Sequence, residues 1–332
     1  MQCLEDTIAG LIRKCIGCGL CTEHCPSYRH GGLDPHRMMT QRKGDILDCI
    51  ICGTCSRVCD STDPLTVMKS LMYLRRKDEF PDHFERTGYI HPMEDCPSRH
   101  ELVPSWDSEG IHIMPGCVIR AKAPFLEYAS AVALRSIGIG CLELEGNGCC
   151  IRPAQFMAMS AEDKLSYKRD MIANASGNRV LALCHGCSEE MNSSSLDVEN
   201  VIHLLHENLD RLPRLDKKLS VAIEPGCQAE HLLSEMREVV EAIGCTVVND
   251  RIGCCGKDTR VSSSLMKERM EECSGCDVIV VGCPKCFTKY DAYPEGMPVM
   301  FLTELVAMAV GDVSSLKYHR IPFSGSNRIA PP

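Results

Sequence analysis

Cys15-Ile16-Gly17-Cys18-Gly19-Leu20-Cys21-Thr22-Glu23-His24-Cys25-Pro26 opens the readable part of the chain, and its spacing returns after 23 residues as Cys49-Ile50-Ile51-Cys52-Gly53-Thr54-Cys55-Ser56-Arg57-Val58-Cys59-Asp60. A tight C-x-x-C-x-x-C loop points three sulfurs at one metal cube, and a fourth thiolate must come from elsewhere in the chain. In a doubled run of this kind the fourth cysteine of each motif serves the other cluster. The spacing therefore predicts one 4Fe-4S cubane on Cys15, Cys18, Cys21 and Cys59, and a second on Cys49, Cys52, Cys55 and Cys25.

Zinc is the weaker reading here, because zinc sites use two separated ligand pairs that a run of four cysteines overfills. The run is that of a two-cluster ferredoxin, with one departure: Asp60 stands where a proline usually follows the last cysteine. That predicts a locally altered turn with the ligand retained. Pro64–Lys77 reads as a helix, with Leu65, Met68, Leu71, Met72 and Leu74 near one face and Arg75, Arg76 and Lys77 at its negative end. Residues 78–110 are polar and broken by Pro81, Pro92, Pro97 and Pro104, which predicts a linker or a surface-hugging connection.

Beyond residue 110 one unit is written twice. Pro115-Gly116-Cys117, Gly148-Cys149-Cys150 and Cys184-His185-Gly186-Cys187 return as Pro225-Gly226-Cys227, Gly253-Cys254-Cys255 and Cys283-Pro284-Lys285-Cys286. The offsets fall from 110 to 105 to 99, so the second copy is progressively shortened. Short apolar runs at Ile111–Met114, Val180–Leu183, Val221–Ile223 and Val278–Val281 each end beside a cysteine motif, as buried parallel strands do. Helical stretches at Pro124–Ser136, Ala161–Ala175 and Ala229–Ile243 lie between them. Strand–helix–strand alternation implies parallel sheets with right-handed crossovers, and ligand sites at the carboxyl ends of the strands.

Two five-cysteine sites follow: Cys117, Cys149, Cys150, Cys184 and Cys187 in the first copy, and Cys227, Cys254, Cys255, Cys283 and Cys286 in the second. Five thiolates exceed the needs of a cubane or a tetrahedral zinc, and adjacent cysteines reach different irons of a larger or opened cluster. A thioredoxin-like pair is the competing reading of each C-x-x-C, and zinc remains open at one of the two sites. His185 reads as a turn residue between ligands. Of the other six cysteines, Cys3, Cys96, Cys141 and Cys245 fit small buried hydrophobes, while Cys273 and Cys276 form a further pair near Cys283 whose expected role is packing.

Composition agrees with this chemistry. A disulfide framework is the third way to use 24 cysteines in 332 residues, and it belongs to short secreted chains. Met1–Ile12 carries acidic residues and no long apolar core, so neither a signal nor a transit peptide is expected, and no run of about 18 apolar residues occurs. The expectation is a cytoplasmic, oxygen-sensitive protein. A net charge of −9 gives no nucleic-acid footprint. Loaded clusters add about −2 each, so a partner is expected to offer a basic face.

The arrangement resembles the heterodisulfide reductase family of methanogens. Residues 1–100 look like its small ferredoxin-type subunit, and residues 111–311 look like its catalytic subunit with two cysteine-rich CCG repeats, down to Pro298-Val299-Met300 and the helix Leu302–Val310. The implied fold class is α+β followed by α/β. An N-terminal helical two-cluster ferredoxin-like domain with trailing linker (1–100) precedes a first CCG domain (111–206), a second CCG domain (219–311) and an extended C-terminal tail (312–332), the CCG domains having small parallel sheets.

The resemblance implies that the five cysteines of each repeat hold a non-cubane four-iron cluster. It also implies a disulfide substrate, in that family the mixed disulfide of coenzymes M and B, lying between the two sites and taking one electron from each. The implied partners are a flavoprotein or other electron-donor subunit and further redox subunits of a larger complex. Two features depart from the family: the second repeat leaves only 26 and 27 residues between ligand groups, against 31 and 33 in the first, and Lys257-Asp258-Thr259-Arg260 replaces a glycine-rich stretch. These departures keep two other functions open: an electron-transfer subunit without a substrate of its own, and a non-catalytic assembly component.

Overall fold

The computed structural model describes residues 2–77, 82–146, 148–175 and 177–321. Two four-stranded sheets, all parallel, carry the C-terminal two-thirds. The first holds β1 (Ile111–Met114), β2 (Cys141–Glu143), β3 (Val180–Ala182) and β4 (Val198–Asn200) in the order β2-β1-β3-β4. The second holds β5 (Ser220–Glu224), β6 (Thr246–Asn249), β7 (Val278–Val281) and β8 (Val299–Phe301) in the order β6-β5-β7-β8. The fold class expected from the sequence is the one observed.

Central strands β1 and β7 are buried along their whole length, which suits the unbroken Val and Ile run of β7; β1 buries His112 between its two isoleucines, the ring hydrogen-bonded to the Glu143 carbonyl. In each sheet the chain steps to one side after the first strand and to the other after the second. The reversal falls between β1 and β3, and between β5 and β7. All three cysteine motifs of a copy leave the carboxyl ends of these neighbouring strands.

The copies interlock reciprocally. The second helix after β1 (Phe125–Ser136) packs on the helix after β8 (Leu302–Ala309), and the helix after β4 (Val201–His206) packs on the helix after β5 (Leu233–Ala242). A buried Ser130–Thr303 hydroxyl pair at 2.8 Å ties the first contact, and one apolar core runs through both sheets.

The N-terminal region is a set of short helices on a smaller core of Ile8, Leu33, Met38, Met39, Ile46, Val67 and Met68. Its closing helix, Pro64–Arg76, starts where Asp63 accepts the Thr66 N–H and Pro64 fills the first turn, and it ends on Arg75 and Arg76. This helix touches Ala154–Phe156 of the first repeat, while residues 48–57 reach the second. The N-terminal region therefore sits astride both.

The stretch expected as a linker or a surface-hugging connection packs on the first repeat and forms a wall of it. Residues 78–81 lie outside the described residues, but Phe84, Tyr89 and Ile90 join Cys117, Cys149, Ile151 and Phe156 in one apolar cluster, and the Cys149 N–H donates to the Gly88 carbonyl at 2.8 Å. Prolines punctuate the segment without freeing it, because Phe84, Tyr89 and Ile90 turn inward, although Met93 and Val103 stay exposed.

Of the expected extended C-terminal tail, residues 312–321 pack on their own chain, and residues 322–332 lie outside the described residues. His319 is fully buried between Glu304 at 3.0 Å and Asp291 at 3.3 Å. Burial opposes its charge, but the two carboxylates prevail and lift its pKa from 6.5 to about 9. A raised folded pKa gives stability that is complete below about pH 6.5 and fades as pH rises through about 9. A His319→Gln variant should lose about 3 kcal/mol at pH 6 and little above pH 10, read from denaturant midpoints across that range.

Candidate metal centres

Two small cavities lie in the N-terminal region. The first is lined by Cys15, Cys18, Cys21 and Cys59 with Ile16, Met39 and Val58; the second by Cys25, Cys49, Cys52 and Cys55 with Leu33, Ile50, Leu65 and Met68. The crossed assignment expected from the spacing is the grouping these cavities bring together. Their similar size, four thiols and apolar remainder fit one 4Fe-4S group each.

Gly17, Gly19 and Gly53 take positive φ (72°, 82° and 83°), which winds each loop around its cavity. Ile51, in the register of Gly17, holds φ 50° although it is β-branched, a costly conformation for such a residue. Around the second cavity, burial pushes the Cys49 thiol up to about 12 and that of Cys55 well up too. At Cys59 burial is outweighed by the hydroxyl and N–H of Ser61 and the N–H of Thr62, which pull its thiol down; the Asp60 turn thus keeps its ligand supported. The outer site lies near solvent, with Cys18 exposed and Ile16 76% exposed beside it; the inner one is buried against the rest of the chain.

In the first repeat the five thiols form a chain of contacts: Cys117 to Cys149, Cys149 to Cys150, Cys150 to Cys187, and Cys187 to Cys184. In the second, Cys254 meets Cys227, while Cys255 meets Cys286 and Cys286 meets Cys283; Cys227 feels the charges of Cys255 and Cys283. Gly116 (φ 80°) and Gly226 (φ 110°) sit so close that a Cβ would come 3.0 Å from the Cys187 sulfur and 2.9 Å from Cys283 Cβ. The sulfurs meet in successive pairs, and no set of three His, Cys, Asp or Glu side chains among the described residues is arranged to hold a single metal ion. Five thiols gathered pairwise fit a group with several metal atoms better than a lone zinc.

The remaining cysteines stay apart from these sites. Cys141 donates to the carbonyls of Ala131 and Ile139, Cys96 to that of Lys122, and Cys245 and Cys273 are buried in the shared core with Cys276 at its edge. The side chain of Cys3 lies outside the described residues.

Side chains that sequence reading passed over join the sites. Arg152 stands two residues after Cys150, and Lys257 stands two after Cys255. The shared register was the signal that both repeats place a cation there. Arg152 donates to the Gly186 carbonyl at 3.2 Å and to Gln228 Oε1 at 2.8 Å, and pairs with Glu189 at 2.6 Å. Gln228 Nε2 and Lys257 Nζ both donate to the Ile51 carbonyl, at 2.5 and 3.2 Å. His185 is buried edge-on to His231, with ring centres 4.9 Å apart, so it is more than a turn residue. Arg260, in the stretch that departs from the family, pairs with Asp48 at 2.6 Å and caps the Gly31 carbonyl, which docks the N-terminal region.

A solvent-open cleft between the N-terminal region and the second repeat reaches Cys52, Cys227 and Cys254. Among the described residues no helix is long and apolar enough to cross a membrane.

Fold and sites together define an iron–sulfur oxidoreductase subunit. Residues 14–63 match the 4Fe-4S dicluster domain, and residues 111–192 and 221–290 match the cysteine-rich (CCG) domain. More particularly, the chain is related to the B subunit of heterodisulfide reductase. It is 23% identical over 267 residues to the B subunit of the ferredoxin/F(420)H(2)-dependent CoB-CoM heterodisulfide reductase of Methanosarcina acetivorans, covering 60% of this chain and 89% of that one. It is likewise 23% identical over 265 residues to the B subunit of the ferredoxin:CoB-CoM heterodisulfide reductase of Methanosarcina mazei, covering 59% and 87%. Among solved structures, a hypothetical protein from Helicobacter pylori superposes with a TM-score of 0.52 at 10% identity, over 97% of this chain and 76% of that one; this likeness is one of fold alone.

Proposed function

We propose that this chain reduces a disulfide of small thiols at its paired five-cysteine sites, as one subunit of a larger redox complex with a flavoprotein or other electron donor. In this reading the ligands are Cys15, Cys18, Cys21 and Cys59 for the outer cubane, Cys25, Cys49, Cys52 and Cys55 for the inner, and the ten repeat cysteines for two non-cubane clusters. The chain divides into units 1–100, 111–206, 219–311 and 312–332, with residues 82–100 serving the first repeat. The observation that carries the reading is continuity. The outer cavity adjoins the inner, the inner is tied through Ile51 to Gln228 and Lys257, and Gln228 is tied to Arg152 of the first repeat.

When bound, iron–sulfur groups supply one-electron steps and a Lewis acid for a departing sulfur, and a disulfide needs two electrons. The chain's own residues do the rest. Arg152 and Lys257 offset thiolate charge, and the cleft beside Cys227 and Cys254 gives a small disulfide access to the second site.

One observation favours electron transfer without a substrate: Arg152–Gln228 and His185–His231 fill the space where the two repeats meet. Two measurements on protein purified without oxygen separate the readings. About 16 irons per chain, at four per cluster, are expected, with the magnetic spectrum of a repeat-bound cluster changing when a disulfide is added. About 12 irons, or a spectrum indifferent to disulfides across a redox titration, would leave only the carrier.

A further inference from the structure

Arg152 and Lys257 occupy the same register of the two repeats, but their surroundings differ. The Arg152 guanidinium is met by Glu189 at 2.6 Å, whereas Lys257 makes no ion pair with a carboxylate among the described residues. Its ammonium is half-buried, anchored on the Ile51 carbonyl at 3.2 Å. Ile51 lies within the Cys49–Cys52 loop of the inner cubane site, while Lys257 follows the Cys254–Cys255 pair of the second repeat. One uncompensated charge thus stands between two ligand sets. It acts on Cys49 on one side and on Cys227, Cys255 and Cys283 on the other.

The anchor is built. Ile51 holds its left-handed φ of 50° while its carbonyl takes two donors, Lys257 Nζ and Gln228 Nε2, so the surroundings over-determine a conformation the residue disfavours. Lys257 is itself held at φ 52°. Two further cations lie nearby: Arg57, which donates to the Cys52 and Cys227 carbonyls at 3.2 and 3.3 Å and is met by Glu230 at 3.5 Å, and Lys69 on the helix Pro64–Arg76, whose protonation burial and the charges of Arg152 and Lys257 disfavour while Glu190 and Glu189 favour it.

We propose that Lys257 is a positioning residue for electron transfer, a fixed cation shared by the inner cubane site and the second five-cysteine site that raises the reduction potential of both. The physics is direct. An electron added on either side increases negative charge near a fixed cation in a poorly solvated junction, so the reduced forms are favoured. Held between the two, the charge lifts both potentials together and keeps the step between them close to level. Arg152, neutralised by Glu189, gives the first repeat less of this lift. This rests on the cluster assignment of the proposed function but not on the identity of the substrate.

The test is a redox titration followed by magnetic spectroscopy on the anaerobic full-length protein, comparing wild type with Lys257→Met and Lys257→Arg, each checked for iron content. In Lys257→Met the inner cubane and the second-repeat cluster should become harder to reduce by about tenfold at fixed ambient potential, about 59 mV for one electron. The outer cubane and the first-repeat cluster should stay in place, and Lys257→Arg should keep wild-type potentials. Unmoved potentials in Lys257→Met overturn the proposal, as do equal shifts of every cluster or equal shifts in both variants. The inner cubane alone suffices to decide if the second repeat is otherwise metallated. If wild type turns over a disulfide while Lys257→Met leaves potentials unchanged, only this inference fails. If potentials shift as stated but no disulfide perturbs the spectrum, only the substrate reading fails.

Discussion

A Cys25→Ala variant purified without oxygen is expected to lose iron from the site that holds Cys49, Cys52 and Cys55, and none from the site of its own motif. Cys25 follows Cys21 by four residues, yet it lines the inner cavity with the second motif, while Cys59 lines the outer cavity with the first. Burial raises the Cys25 thiol, and among its electrostatic neighbours is Cys52 of the inner site. Removing it should free at least the corner iron it ligates, taking the total from about 16 irons to between about 12 and 15. The spectrum of the solvent-near outer cluster should persist, and reduction of the repeat sites by an external donor should slow sharply, because the inner site is the one tied to Gln228 and Lys257. Cys59→Ala should do the reverse, sparing the inner cluster. Loss of the outer spectrum in Cys25→Ala would sink the crossed assignment, and with it the order of electron flow.

The gathering of the cysteines was legible because metal chemistry dictates spacing, and spacing is written along the chain. The central strands were legible for a similar reason: a strand buried on both faces must be continuously apolar, as Val278–Val281 is. The junction was not legible. Gln228, Lys257 and the Ile51 carbonyl are separated by 29 or more positions along the chain and meet only because the N-terminal region docks on the second repeat. A lysine after Cys-Cys-Gly is, in sequence, only a departure from a glycine-rich pattern. Its partner is a backbone carbonyl, which no residue type announces.

For the segment 82–100, which of the two expectations holds was not legible for another reason. Its prolines and charges match a linker, but Phe84, Tyr89 and Ile90 are enough to seat it on the apolar wall around Cys149, and main-chain bonds fix the rest. Likewise His319 has the composition of a tail around it and the environment of a core. Two carboxylates from distant elements, Asp291 and Glu304, make the difference.

The second repeat also carries a buried polar group that the first lacks, and removing Arg269 from it should be among the most damaging single changes in the chain. Glu224 ends β5 where Met114 ends β1, and Tyr290 stands where the first repeat has Met191. Arg269 Nε lies 3.5 Å from Glu224 Oε2, which also accepts the Gly253 N–H at 2.6 Å, and all three side chains are essentially inaccessible. Burial pushes the Glu224 carboxyl up to about 8 against the pull of Arg269, whereas Glu224 outweighs burial to hold Arg269 charged. The short Gly253 N–H contact and the adjacent guanidinium favour the carboxylate. Glu224 Oε1 and the Tyr290 hydroxyl have no hydrogen-bond partner among the described residues, so little else is at hand to take over when the cation goes. Arg269→Met should therefore cost about 3–5 kcal/mol in denaturant unfolding, the usual result of stranding a buried charge. It should also loosen the Gly253–Cys254 turn, visible as iron lost from the second repeat alone. The double variant Glu224→Met with Arg269→Met, which copies the apolar choice at Met114, should recover to within about 1–2 kcal/mol of wild type, since a buried pair replaced by apolar groups of similar volume is often neutral. If single and double variants prove equally unstable, Arg269 acts through its bonds to the Ile223 carbonyl and Asn249 and not through Glu224, and the polar group is a strut for β5 with no electrostatic role at the second site.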